Sequence, residues 1–323
     1  MGRPTRRVRD NQAMHLVISH AAPSGPQCQA ALERLELPHL RQLLRVLTPD
    51  RTLHGSDTDL SPIAERVQTQ DAYADGLIPW AALAAKPLPE LPNDAAWGLI
   101  TPCHWAVHAD HVAMHDPRTL RLEAAESHGL MQAMAPYFLE DGLVLHYWQA
   151  DTWLVHGALL RGLPTASLER VRGQAVDAWL PRTAAARVVR RLQNEMQMLL
   201  YTHAVNDARA ARGVPVVNSF WLSGTGDLLG NEPPEDGTTM HDGLQAAELK
   251  DDAHAWTQAW QALDRGPIAE FAKVLHQKAS SQPALTLCSE RSARTWRLQP
   301  QSLIRKIKTA LRGPSPSTIL KAL

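Results

Sequence analysis

The sequence predicts an α/β or α+β protein in which a mixed sheet is flanked by helices. Strand-like and helix-like segments follow one another through most of the 323 residues, which is typical of a layered architecture. Apolar residues make up 44% of the chain and charged residues 20%, so the chain can bury a sizeable core and disorder is excluded for most of its length. No segment reaches the ~18 consecutive apolar residues of a membrane-spanning helix.

The chain up to residue 94 is predicted to form a strand, then helices, then a connector. The strand at 14–21 (MHLVISHA) is an apolar run that ends at the turn-forming residues AAPSGP. Helical spacing covers 27–47, with a break at Pro38 because proline has no backbone N–H to donate. The Ser-Pro pair at 61–62 begins another helix. The proline-rich stretch 86–94 is a rigid connector and therefore the best candidate for an internal domain boundary.

Strands and helices alternate more regularly after this connector. The predicted strands are 97–107, 111–115, 142–148, 152–156, 214–222 and 284–288. The predicted helices are 122–138, 183–212, 247–263 and 266–279. The helix at 183–212 is the longest, and Gly213 closes it.

Charge divides the chain into a basic arm, an acidic body and a basic tail. The net charge is zero, but the body at 14–290, which we expect to be a single domain, contains 21 basic and 32 acidic residues. Residues 1–13 are predicted to be a disordered basic arm, which makes Met14 an alternative start, and 291–323 is a basic tail without acidic residues. Because the body is acidic, we expect no nucleic-acid partner for it.

The basic tail contains an amphipathic segment at 302–312 (SLIRKIKTALR). Its apolar stripe consists of Leu303, Ile304, Ile307 and Leu311, and basic side chains surround it. A basic amphipathic helix can dock on the protein's own acidic body, on a partner protein or on an anionic membrane surface. These three possibilities stay open.

Cysteine content and the first residues indicate the compartment. Cys28, Cys103 and Cys288 are odd in number and widely spaced, which argues against a disulfide framework and against a CxxC zinc site. No apolar signal core follows the basic first residues. We therefore expect a cytoplasmic protein.

A histidine-rich segment, CHWAVHADHVAMHD, is the first candidate for chemistry. Its histidines are His104, His108, His111 and His115. A helix would place all four on one face, but the alternation with apolar residues favours a hairpin with a turn near 109–110. Imidazoles are good zinc ligands, yet few carboxylates are near enough to orient them, so we expect no tight zinc site. The alternative is a solvated strand face rich in histidine.

The end of the long helix and the strand after it form the second candidate. The predicted ligand-binding residues are His203, Asn206, Arg209, Asn218, Trp221, Gly224 and Gly226. The planar fork of an arginine suits a phosphate or a carboxylate, glycines let the backbone approach an anion, and a tryptophan supplies an apolar wall. A small anionic or phosphorylated ligand would fit such a pocket. Alternatively, these side chains satisfy backbone groups around the Gly213 turn.

Segment 190–226, RRLQNEMQMLLYTHAVNDARAARGVPVVNSFWLSGTG, resembles the signature of a proteobacterial family described as RpfE-type regulatory proteins. Members of that family are often labelled cofactor-independent phosphoglycerate mutase, and WGLITPCHW and LTLCSER also fit it. The pattern H-x-V-N-x-x-R…G…N-x-x-W-L-x-G-x-G, which includes Gly213 and all seven candidates, is also similar to archaeal-type phosphoglycerate mutases. The resemblance implies part of an alkaline-phosphatase-like scaffold.

The archaeal-type enzymes imply two metal ions, an Asp directly after the first strand and a serine nucleophile. In this sequence Ser19 and His20 stand where an Asp-Gly pair is expected, and HDG at 241–243 is the nearest approach to a later ligand motif. We therefore expect a regulatory or ligand-binding protein on a mutase-like scaffold, without metal-dependent activity and without a cofactor. One alternative is a divalent-metal-dependent phosphoglycerate mutase, with Ser19 as candidate nucleophile. A second is a metal-binding protein built on the four histidines.

Overall fold

The structure is a computed structural model that describes residues 14–228, 237–275, 283–299 and 315–323. The predicted arm at 1–13 and the amphipathic segment at 302–312 lie outside these residues. The chain divides into two compact units. The first is formed by the described parts of Met1–Asp57, Ile63–Gln70 and Pro233–Leu323, and the second by those of Thr58–Pro62 and Asp71–Glu232.

The secondary structure of the described residues follows the predicted alternation. The strands are β1 (His15–Ile18), β2 (Thr48–His54), β3 (Trp97–Cys103), β4 (Trp105–Val107), β5 (Val112–Met114), β6 (Val144–Gln149), β7 (Thr152–His156), β8 (Ser219–Gly226), β9 (Thr238–His241), β10 (Ala284–Cys288) and β11 (Ser292–Arg297). The helices are α1 (Pro26–Ala31), α2 (Pro38–Val46), α3 (Ile63–Gln68), α4 (Trp80–Ala85), α5 (Ala124–Glu140), α6 (Leu168–Val171), α7 (Ala186–Tyr201), α8 (Ala204–Ala211), α9 (Gln245–Glu248), α10 (Ala253–Leu263), α11 (Ala269–Leu275) and α12 (Pro316–Lys321).

The first unit contains a mixed sheet with the strand order β2-β11-β10-β1-β9. β1 is parallel to both β10 and β9, whereas β11 is antiparallel to β10 and β2. All four residues of β1 are buried because helices cover both faces of the sheet. Leu16 packs with Trp256 and Trp260 of α10 on one face, and Val17 packs with Ile63 of α3 on the other. The prediction of a mixed sheet with flanking helices is confirmed.

The second unit contains an antiparallel sheet with the order β6-β7-β3-β8, and β4 and β5 form a separate hairpin. Helices α5 and α7 place Leu130, Met134 and Met196 against this sheet. Trp153 is completely buried there, and its indole N–H donates to the hydroxyl of Ser127 at 2.8 Å. One hydrogen bond therefore holds α5 in register with β7.

The predicted boundaries differ from those of the two units. Residues 86–94 lie inside the second unit rather than at its edge, and 14–290 covers parts of both units. Residues 292–297, placed in the basic tail, form β11, which pairs with β10 and β2. Ala293 and Trp296 of that strand are buried. The charge run concealed this strand because arginines stand between its apolar residues.

The prediction of one long helix at 183–212 is wrong at one point, because the helix is broken after Tyr201. His203 is the N-cap of the next helix, α8, and its ring nitrogen accepts the backbone N–H of Val205 at 3.2 Å. The amide of Asn206 donates to the carbonyl of Leu200 at 2.8 Å and so satisfies the end of α7. Gly213 follows α8 with φ of 68°, which agrees with its predicted role.

Candidate functional site

The carboxyl edge of the first sheet is where an open α/β sheet usually binds ligands. Three parallel neighbours, β1, β9 and β10, end there. Ser19 and His20 follow β1, Asp242 follows β9 and Ser289 follows β10. His20 has φ of 54°, a left-handed conformation that is strained for a residue with a side chain.

Ser19, the candidate nucleophile, is buried at this edge with 3% of its surface exposed. Its hydroxyl donates to the carbonyl oxygen of His241 at 3.2 Å, and its backbone N–H donates to the same oxygen at 3.0 Å. These contacts extend the pairing of β1 with β9. A catalytic role of Ser19 stays a prediction.

Glu248 ties together the loop that follows β1. Its carboxylate accepts the hydroxyl and the backbone N–H of Ser24, at 2.5 and 3.1 Å, and lies 3.3 Å from Nδ1 of His20. Burial alone would raise the pKa of Glu248, but the hydrogen bonds from His20 and Ser24 outweigh burial and lower the pKa below its ordinary value. Glu248 is therefore a charged anchor of this loop.

The described residues of this edge do not supply the converging carboxylates of the metal pair that the mutase alternative requires. Two hard divalent cations need several converging carboxylates. Among the residues that the structure describes, no group of three or more His, Cys, Asp or Glu side chains is placed to hold a metal ion. Glu248 is already engaged by His20 and Ser24.

A cavity of about 710 Å³ opens beside this edge, within the first unit. Its polar lining residues are Ser24, Gln29, Ser289, Glu290, Arg291 and Lys321. The hydroxyls of Ser289 and Ser292 both donate to the backbone oxygen of Leu323, the former at 2.9 Å. The cavity thus has two cationic side chains, Arg291 and Lys321, and one acidic side chain, Glu290, on its walls. The charge of 291–323 was evident in the sequence, but the fold was needed to place Arg291 and Lys321 on one cavity.

The predicted ligand-binding residues belong to the second unit, where Arg209 is held entirely by protein groups. Only 1% of its surface is exposed. Its guanidinium donates to the carbonyls of Pro215 at 2.9 Å and Leu120 at 2.6 Å, and pairs with the carboxylate of Glu126 at 2.5 Å. Arg212 contacts the same carboxylate. The contacts give Arg209 a structural role, and its role in ligand binding stays a prediction.

The side-chain amides of Asn206 and Asn218 each pair with both backbone groups of one residue, as a neighbouring strand would. The amide of Asn206 accepts the N–H of Val217 at 2.9 Å and donates to its carbonyl at 2.6 Å. The amide of Asn218 does the same with Trp105, at 2.7 and 2.9 Å. These two side chains therefore fix the segment before β8 against α8 and against the hairpin.

The remaining predicted residues serve separate parts of the fold. His203 caps α8, and the indole N–H of Trp221 donates to the carbonyl of Ala166 at 2.9 Å. Gly224 has φ of 61°, and a Cβ there would lie 3.0 Å from the Cβ of Trp80. Gly226 has φ of 143° and similarly adjoins Pro79 of the segment before α4. The glycines thus let β8 approach α4.

Asn206 and Asn218 also line a groove of about 840 Å³ in the second unit. The groove lies between the hairpin and the junction of α7 with α8. Its other polar lining residues are Gln197, Thr202 and Asp207. The other five predicted ligand-binding residues do not line it.

The histidine-rich segment is a hairpin, as favoured by its alternation, because β4 pairs antiparallel with β5. It brings the histidines together as two pairs and not as a single cluster. The rings of His104 and His115 are 5.1 Å apart, and those of His108 and His111 are stacked at 4.6 Å. Nδ1 of His104 lies 2.9 Å from the carbonyl oxygen of Val216. Metal binding by these residues stays untested.

A further histidine pair, His146 and His156, was not singled out by the sequence. The two rings are joined by a hydrogen bond of 2.9 Å across β6 and β7, and Trp97 packs against both. Burial lowers the pKa of His156, and burial together with the facing His156 lowers that of His146.

The free energy of unfolding should therefore fall as the pH drops below about 6.5, the ordinary pKa of histidine. Below that pH the two histidines bind more protons in the unfolded chain than in the folded one, where their pKa values are lowered. Above it both histidines are neutral in both states. Urea midpoints at about pH 7.5 and about pH 5.5 measure this loss. This pH-dependent loss of stability should be smaller in the double variant His146→Gln/His156→Gln and unchanged in the exposed control His108→Gln. An equal loss in both variants would contradict the assignment.

No protein-family model and no curated protein sequence matches this chain. Among solved structures, it is similar to the cofactor-independent phosphoglycerate mutase from Thermoplasma acidophilum DSM 1728, at 12% identity and a TM-score of 0.38, over 97% of this chain and 98% of that chain. It is also similar to the PH0037 protein from Pyrococcus horikoshii, at 12% identity and a TM-score of 0.46, over 97% of this chain and 96% of that chain.

No helix within the described residues has both the length and the apolar character needed to cross a bilayer.

Proposed function

We propose that this protein is a regulatory or ligand-binding protein of the cytoplasm, on a phosphoglycerate-mutase-like scaffold, that binds a small anionic ligand beside the carboxyl edge of its first sheet. The observation that carries the proposal is the cavity of about 710 Å³ with Arg291 and Lys321 on its walls. The resemblance of segment 190–226 to RpfE-type regulatory proteins agrees with a regulatory role. All three cysteines lie within the described residues, are buried and form no disulfide bond, in keeping with a reducing compartment.

Both cations of this cavity are available to an incoming anion. Arg291 pairs with Asp57 at 2.7 Å and Lys321 pairs with Glu33 at 3.1 Å, and all four side chains are at least half exposed. Exposed ion pairs contribute only about 0–1 kcal/mol, so exchanging a carboxylate for a ligand costs little. The hydroxyls of Ser24 and Ser289 already donate to protein groups, so Arg291 and Lys321 supply the donors for a phosphate or carboxylate.

Matched variants test the proposal through ligand-induced thermal stabilisation. We expect 3-phosphoglycerate, citrate or inorganic phosphate to raise the melting temperature of the unmodified chain, and the double variant Arg291→Ala/Lys321→Ala to lose most of that increase. The control is Arg297→Ala/Lys273→Ala, which removes one arginine and one lysine of the same unit. Arg297 pairs with Asp50 and Lys273 with Glu270, and neither lines the cavity.

Two outcomes would overturn the proposal. In one, none of the three anions shifts the melting temperature. In the other, the control variant loses the shift as completely as the double variant at the cavity, so that general surface charge explains the effect.

A further inference from the structure

The cavity of about 710 Å³ in the first unit, lined by Arg291 and Lys321, is called the anion cavity below. The groove of about 840 Å³ in the second unit differs from it in charge, because no described Lys, Arg or His side chain lines the groove. Among the described residues that line it, Asp207 is the one with a charged side chain. Asp207 is exposed, and its carboxylate makes no ion pair or side-chain hydrogen bond within the described part of the chain. We propose that this groove is a second binding site, which takes a small organic cation with an apolar body, such as an aromatic amine.

The walls of the groove suit an apolar body. Trp105, Val107 and Val112 of the hairpin line one side, and Leu200 and Tyr201 at the end of α7 line the other. Val107 is 83% exposed and Tyr201 is 84% exposed, so large apolar side chains face water on both sides of the groove. Contact with a ligand would remove this apolar surface from water.

The ring of Tyr201 adds an attraction for a cation. A cationic group over an aromatic face is attracted by the negative charge density of the ring. Tyr201 precedes Asp207 by six residues, and both line the same groove. An ammonium group can therefore meet a carboxylate and an aromatic ring while its apolar body contacts the hairpin.

The groove is preformed, because the amides on its wall are already satisfied. Asn206 and Asn218 are occupied by the backbone groups of Leu200, Val217 and Trp105. They fix the walls and do not offer strong donors to an anion. A site of this kind, mostly apolar with a few polar groups and within the usual range of about 300–1,000 Å³, is typical of small-molecule binding.

Three probes of nearly equal shape test the proposed preference: phenethylamine, 2-phenylethanol and 3-phenylpropionate. Calorimetric titration of the whole chain should show that the amine binds roughly tenfold tighter than the alcohol and that the acid binds weakest. Asp207→Asn should remove most of the preference for the amine over the alcohol, and the attraction of the Tyr201 ring accounts for what remains. The matched control is Asp151→Asn, an exposed aspartate at the β6–β7 turn that does not line the groove.

Tyr201→Ala should lower the affinity for both the amine and the alcohol, because the change removes apolar contact area. The inference fails if phenethylamine shows no saturable binding, if the three probes bind equally, or if Asp207→Asn and Asp151→Asn have the same effect. Since the anion cavity belongs to the first unit, Arg291→Ala/Lys321→Ala should leave amine binding unchanged. Failure of this site is thereby distinguished from failure of the proposed function.

Discussion

Replacing Arg209 with alanine is expected to lower the free energy of unfolding by about 3–5 kcal/mol, because it removes one partner of a buried ion pair. The carbonyls of Pro215 and Leu120 lose their donors at the same time, and the carboxylate of Glu126 loses its buried partner. Urea unfolding followed by tryptophan fluorescence measures the change.

Arg212→Ala is the matched control, because Arg212 contacts the same carboxylate of Glu126 from a half-exposed position. We expect that change to cost less than about 1 kcal/mol. A chain with Arg209→Ala that unfolds like the unmodified one, but no longer responds to phosphorylated metabolites, would contradict the structural role and support the ligand-binding role predicted from the sequence.

Asn206→Ala is expected to cost about 2–3 kcal/mol, since it leaves two buried backbone groups, the carbonyl and the N–H of Val217, without partners. The carbonyl of Leu200 loses one donor but keeps the backbone N–H of His203 at 3.3 Å. The measurement is again the free energy of unfolding from urea titration.

Asn218→Ala provides the comparison for this second prediction. Asn218 also pairs with two backbone groups, those of Trp105, but it is half-buried, so water can replace part of what is lost. We expect less than half the loss seen for Asn206→Ala. Equal losses in the two variants would show that burial does not account for the contribution of Asn206 to the free energy of unfolding.

Local patterns predicted the elements whose stability is local. β1 is a short apolar run bounded by turn residues, and the hairpin β4–β5 alternates along its length, so both were evident. The break between α7 and α8 was not, because helical spacing continues through 201–203. That break depends on the hydrogen bond from Asn206 to Val217, which lies eleven residues farther along the chain.

The candidate sites depend on contacts that no local pattern contains. Glu248 meets Ser24 and His20 from more than 220 positions away, and no motif marked it. Gly224 was interpreted as part of an anion loop, yet its neighbour is Trp80 of α4, far earlier in the chain. The residue types at 203–226 indicated polar donors and glycines, while their partners could be identified only from the fold.

Titration of 3-phosphoglycerate into chelator-treated, dialysed protein, with analysis of the recovered ligand, tests the central claim most directly. We expect saturable binding without any metal, lost in Arg291→Ala/Lys321→Ala, and 3-phosphoglycerate recovered unchanged even after Mg²⁺ or Mn²⁺ is added. Appearance of 2-phosphoglycerate that requires the added metal would contradict the account and establish the mutase alternative.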